Sequence, residues 1–124
     1  MRKLRKERHD DRRNNQKRVE IGNQAEAMAL NKVLPALHFQ DIYKPPNHFP
    51  FDILAKKNGQ VWGIEVSAYM RKTLKESSKE LAKYLGWKTL VLLVSPTWKY
   101  ARVFNVDDQV AVGFRAGEHF DLTD

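Results

Sequence analysis

Two acids stand where a buried strand would ordinarily carry apolar side chains. Asp52 lies in Phe49-Pro50-Phe51-Asp52-Ile53-Leu54-Ala55, and Glu65 in Val61-Trp62-Gly63-Ile64-Glu65-Val66-Ser67. Between the two runs sits Asn58-Gly59, a strong local signal for a hairpin turn. Pairing the strands across that turn can bring Asp52 and Glu65 together in apolar surroundings. Two desolvated like charges are costly unless a cation or a proton lies between them. Oxygen ligands of this kind suit a hard divalent ion such as Mg2+, with positions left for water and phosphate.

Side chains alternate along a strand, so Gly63, Glu65 and Ser67 share one face while Ile64 and Val66 point to the other. The small Gly63 is expected to leave room for a phosphate or a metal. The four histidines (His9, His38, His48 and His119) show no paired spacing that would make a second ligand set.

An Asp on one strand followed by a Glu on the next resembles the PD-(D/E)xK nuclease superfamily, over roughly Glu20 to Val106. Asp52 corresponds to the motif Asp and Glu65 to the motif Glu. Glu26, within Ile21-Gly22-Asn23-Gln24-Ala25-Glu26-Ala27, looks like the acid that the family often carries on the preceding helix. The proline is Pro50, one residue early, and Ser67 stands where the family has its lysine. The resemblance implies that Asp52, Glu65 and the backbone carbonyl of Val66 bind the metal, with Glu26 holding a metal-bound water.

Ser67 can hydrogen-bond water but supplies no positive charge. Three readings follow. Arg71, Lys72, Lys75 or Lys79 reaches in, with Lys79 the first choice because the following helix can overlie the site strands. The metal suffices without it. Or catalysis is lost, and the fold only binds nucleic acid. Glu80 and Tyr84 have the spacing of a Gln-x-x-x-Tyr element found in RecB-like members, with Glu in place of Gln.

What the resemblance implies is a Mg2+- or Mn2+-dependent endonuclease that hydrolyses DNA phosphodiester bonds. In size and layout it is similar to the archaeal and viral Holliday-junction resolvases, which implies action on branched DNA by a homodimer; RNA stays open as a substrate. The alternative is a catalytically inactive nuclease-fold protein that binds nucleic acid or serves assembly.

The charge distribution points the same way. The chain has 124 residues and a net charge of +7. Residues 1–18 hold Arg2, Lys3, Arg5, Lys6, Arg8, Arg12, Arg13, Lys17 and Arg18 against three acids, so +6 of that charge lies there. Such an arm suits a phosphate backbone, where neutralised phosphates release counterions without any reading of sequence. Arg71 and Lys72 are the further candidates for phosphate contact.

At 42% hydrophobic residues, the chain has enough apolar material for one core. Cysteine is absent, which excludes disulfides and thiolate zinc sites. No apolar run approaches the ~18 residues of a membrane helix, and the charged N-terminus does not resemble a secretory signal. The expectation is a cytoplasmic or otherwise intracellular protein, including one encoded by a virus or mobile element.

These residues need a scaffold, and the pattern supplies one. Ile21, Ala25, Met28 or Ala29, and Val33 recur at helical steps, predicting a helix from Val19 to about Leu37 that Pro35 ends or kinks. Strands are predicted at His38 to Tyr43, Phe51 to Lys56, Gln60 to Ala68, Leu90 to Val94 and Tyr100 to Val106. A helix is predicted from Lys72 to about Leu85, with Leu74, Leu81 and Leu85 on its apolar stripe and Gly86 as its stop. An edge strand at Val110 to Phe114 completes the chain, and Trp62, Trp87 and Trp98 are expected in the core or an interface. The result is an α/β protein in the order α-β-β-β-α-β-β: a basic arm (1–18) and a single domain (19–124). The resemblance implies a restriction-endonuclease-like mixed sheet flanked by helices.

Overall fold

The computed structural model describes residues 16–68 and 74–123. Among them is a mixed sheet of six strands whose spatial order equals their chain order. The strands are β1 (Gln40–Tyr43), β2 (Ile53–Lys57), β3 (Gln60–Ser67), β4 (Lys88–Ser95), β5 (Tyr100–Val106) and β6 (His119–Asp121). Neighbours pair antiparallel except β3 and β4, which are parallel. Parallel pairing requires a crossover, and α2 (Glu76–Leu85) provides it. No helix among the described residues is long and apolar enough to cross a membrane.

One face of the sheet packs against α1, which is helical over 16–28, π-helical over Ala29–Val33 and closes with a turn at Leu34–Ala36. The helix is thus already formed three residues before the predicted start. Ala25, Ala29 and Val33 are fully buried at four-residue steps, and two alanines let the helix approach Ile53, Ile64, Leu90 and Leu92 closely. Pro35 offers no N–H to the preceding turn. The helix ends just past it, with the Phe39 N–H donating to the Leu34 carbonyl and His38 in the left-handed region at φ 65°.

Asn58 and Gly59, at φ 52° and 77°, form a tight turn that sets Lys57 against Gln60 and fixes the β2–β3 register. Beyond β3, β4 is buried along both faces, as its unbroken apolar run predicts. Leu90, Leu92 and Val94 face α1, while Val91 joins Phe51, Leu74 and Ala82 under α2.

Four expectations change. The second helix begins at Glu76, and Lys75 is extended at φ −64°, ψ 149°; Lys72 lies outside the described residues. Its buried positions are Ser78 and Ala82, whereas Leu85 is exposed, so small residues let it lie close to the sheet. The segment around Val110 is not an edge strand. The Asp108 side chain accepts a hydrogen bond from the Ala111 N–H at 3.1 Å, starting a short helix α3 (Gln109–Val112) that Gly113 stops at φ 75°. The edge is β6, whose Phe120 pairs with Ala101 and packs on Phe114. Finally, Trp62 is core, but Trp98 is 78% exposed on the β4–β5 turn.

Candidate functional site

The β2–β3 ladder ends at Ile53 paired with Ile64. One step further along the same register sets Asp52 against Glu65. No ladder pair forms there, because the chain bends at Phe51 and Asp52. The Asp52 carboxylate takes over the acceptor's part, its Oδ2 receiving the Val66 N–H at 2.9 Å. Glu65 follows the alternation predicted for β3 and lies on the α2 face of the sheet. It is 8% exposed and, with Ser78, makes up the buried polar side chains among the described residues.

Both carboxylates line one cavity of about 550 Å³. Its other walls are the 47–50 loop and the start of α2, through Lys75, Ser77 and Ser78. Ser78 is buried, and its hydroxyl donates to the Pro50 carbonyl at 3.2 Å. That bond ties the first turn of α2 to the segment leading into Asp52. The Lys75 carbonyl accepts from the Ser78 and Lys79 N–H groups, while the N–H groups of Glu76 and Ser77 precede the first intrahelical donor. The positive end of the helix and the Lys75 side chain thus border a space lined by two acids. Such a space suits a cation held by the acids and an anion held by the helix start.

Gly63 does not leave room for a ligand. A Cβ there would lie 2.7 Å from the Phe51 ring, which fills the space and packs in turn on Trp87 with centroids 6.3 Å apart. The glycine serves the fold by letting Phe51 seat against the sheet beside Asp52.

Glu26 shares a different space with Asp52. The two line a separate small cavity of about 50 Å³, and Glu26 Oε1 lies 3.1 Å from Lys44 Nζ in an ion pair. Glu26, Asp52 and Glu65 are therefore not one cluster, and among the described residues no three His, Asp or Glu side chains gather to hold a metal. Val66 is buried on the α1 face, with its backbone at the Asp52 carboxylate. Ser67, half-buried at the end of β3, is not among the described residues lining the Asp52–Glu65 cavity.

The first-choice substitute cation, Lys79, is exposed and does not line that cavity; Lys75, one turn earlier, does. The helix starts later than predicted, which moves its N-terminal residues onto the site and carries Lys79 past it. His48 also lines the cavity. Of the basic residues, Lys17 and Arg18 are exposed in the first described turn of α1. Arg2, Lys3, Arg5, Lys6, Arg8, Arg12, Arg13, Arg71 and Lys72 lie outside the described residues. Tyr84 is exposed, as is Glu80.

Sequence reasoning missed Ser77 and Ser78. Their signal is faint, since two serines after Lys75-Glu76 read as an ordinary solvated helix start. Comparison with protein-family models, with curated proteins and with solved structures finds no match to this chain.

Proposed function

We propose that the chain is a metal-dependent endonuclease acting on DNA, with Asp52 and Glu65 as its metal-binding acids and Lys75 in the part of the missing motif lysine. The observation that carries this reading is the pair of carboxylates, one in the bend before β2 and one on β3, in one cavity with Lys75 and the start of α2. An antiparallel three-strand meander, a crossover helix and a parallel fourth strand are also the order expected of a restriction-endonuclease-like core.

The donor set fits a hard divalent cation: two carboxylates that differ in burial but share one space. In an extended strand the N–H and C=O of one residue leave on the same lateral side. Since the Val66 N–H points to Asp52, its carbonyl belongs to that side as well, the third oxygen of the set. A bound Mg2+ or Mn2+ would lower the pKa of a water and offset charge on the phosphate.

The rest falls to the chain. Asp52, oriented by the Val66 N–H, stands in the cavity wall as one ligand. Glu65, nearly excluded from solvent, stands where an opposing cation would gain most. Lys75 and the first N–H groups of α2 attract the phosphate and offset charge that grows on its oxygens. Ser78, through Pro50, keeps the helix start and the Asp52 segment in register.

Nicking of supercoiled plasmid and cleavage of branched DNA with Mg2+ or Mn2+ test the proposal. Asp52→Asn and Glu65→Gln should each reduce cleavage at least about 100-fold, at or beyond the loss typical of groups that only support a metal ligand, while melting temperature stays near that of the parent. Equal nicking by parent and both variants would remove the pair from the site. A symmetric dimer would bring two sites to paired strands, and sedimentation on branched DNA would read it.

The second reading, a nuclease fold that binds nucleic acid without cutting it, is favoured by Ser67 and by the engagement of Glu26 with Lys44. DNA binding without cleavage in either metal would select it.

A further inference from the structure

The α2 face of the sheet carries a second cavity, of about 570 Å³, on its far strands. Pairing sets Ser67 beside Leu93 of β4, Leu93 beside Arg102 of β5 and Arg102 beside His119 of β6. Directly paired residues share a face, so this row carries the face of Glu65 and Ser67 across to Arg102 and His119. Two strand spacings put β5 about 10 Å from β3. Tyr100 and Asp121 pair one step further out, and Trp98 and Thr123 complete the lining.

Three features of this cavity call for a ligand. Arg102 Nε is buried without a hydrogen-bond partner, and no hydrogen bond or ion pair joins its guanidinium to any described residue. A donor left unpaired in such a place is costly, and the planar fork of donors matches a phosphate. Trp98 and Tyr100 supply ring surface: Trp98 is largely exposed, and Tyr100 meets His119 edge-on at 5.9 Å. The third feature is Asp121, whose Oδ1 accepts from the Thr123 N–H at 2.9 Å and hydroxyl at 2.7 Å. Those bonds, the one from the hydroxyl foremost, hold the Asp121 pKa below its ordinary value and keep it anionic. A carboxylate beside the arginine would oppose a bare polyphosphate, but it can accept from the exocyclic amino group of a base.

We infer that this cavity receives one nucleotide of single-stranded DNA, with its phosphate on Arg102, its base against Trp98 or Tyr100 and a base amino group on Asp121. This rests on the proposed nuclease reading in one respect: the strand is the one whose scissile phosphate enters the acidic cavity. Stacking on exposed rings requires unpaired bases, so the substrate class is DNA with a single-stranded segment at the cleavage point.

Binding of a fluorescently labelled oligonucleotide of about 12 nucleotides, a length in the range of small single-strand-binding domains, tests the inference on the full chain in chelator, where metal-dependent cleavage cannot occur. The parent should bind the single strand more tightly than a duplex of equal length. Trp98→Ala and Arg102→Gln should each weaken single-strand binding about tenfold, the loss of one stacked or charge-paired nucleotide, and leave duplex binding unchanged. Trp98 is exposed, so its variant keeps the fold even if the Arg102 variant does not. Equal affinity for the two DNA forms, or single-strand binding indifferent to Trp98→Ala, would overturn the subsite. Binding that depends on Trp98 and Arg102 in a protein that never cuts would uphold the subsite and sink the nuclease reading alone.

Discussion

Adding one methyl group at Gly63 should disturb the site without touching either acid. A Cβ there would meet Phe51 at Cε1, Cδ1 and Cγ, at 2.7, 2.8 and 2.8 Å. Because Cγ lies on the axis of ring rotation, turning the ring cannot relieve the contact; Phe51 must change its first torsion or its backbone must shift. Overpacking of this kind costs ~1–3 kcal/mol. Replacing a strand glycine recovers ~0.5–1 kcal/mol. The net destabilisation of Gly63→Ala is about 0–2.5 kcal/mol, centred on ~1 kcal/mol, which corresponds to about 3–5 °C in melting temperature for a domain of this size.

Phe51→Ala alone should cost ~3–5 kcal/mol, since it empties a buried ring site. The double variant should cost less than the sum of the two, by ~1–2 kcal/mol, because the added methyl then has space. Thermal unfolding of the four proteins reads the cycle. Asp52 adjoins Phe51, so Gly63→Ala should also slow cleavage at temperatures where the protein is fully folded. A Gly63→Ala protein that melts at or above the parent temperature, or a strictly additive cycle, would refute the close packing of Phe51 on β3.

Three further outcomes are expected. Lys75→Ala should lower cleavage about 100-fold, the scale of one lost charge-stabilising donor, while Lys79→Ala stays near the parent; equal effects in a nicking assay would remove Lys75 from its role. Lys88 donates a hydrogen bond to Asp108 at 2.6 Å, and this bond, then the Ala111 N–H, holds the Asp108 pKa low. A lowered folded-state pKa contributes stability that is present above the unfolded value and lost as pH falls through the folded one. Asp108→Asn should therefore melt below the parent at pH 7, with the gap closing below about pH 4; a gap that persists in acid would contradict the ion pair. Removing residues 1–15 takes away seven Lys and Arg against three acids. DNA binding should weaken evenly across sequences and the slope of log K on log salt should flatten, with cleavage at saturating DNA retained; an unchanged slope would make the arm a spectator.

Much of the site's frame was legible because its signals are local. Asn58-Gly59 sets the β2–β3 turn, and the period of two then dictates that Glu65 shares a face with Gly63 and opposes Asp52. The helix of Ala25, Ala29 and Val33 was legible for the same reason. What escaped depends on contacts between distant segments. Gly63 reads as open space until Phe51, twelve positions earlier in the chain, is seen against it. Val110 reads as a strand until the Asp108 cap and Gly113 turn it into a helix. Lys75 and Lys79 are indistinguishable by composition, and only the start point of α2 chooses between them. Trp98 read as core or interface and Arg102 gave no signal, because their neighbours, His119 and Asp121, arrive from a strand too short to announce itself.

The agreement between spatial and chain order in the sheet has a consequence for how the protein assembles. Each pairing joins strands consecutive in the chain, so loops close over short separations and contact order stays low, which favours rapid folding. The acid pair needs only the β2–β3 hairpin to meet, while its enclosure waits for α2 and β4. The Arg102 cavity needs two further strands, β5 and β6, at the C-terminal edge. The outer strands can therefore accumulate substitutions that retune what is held there without reopening the β2–β3 pairing on which the acids depend.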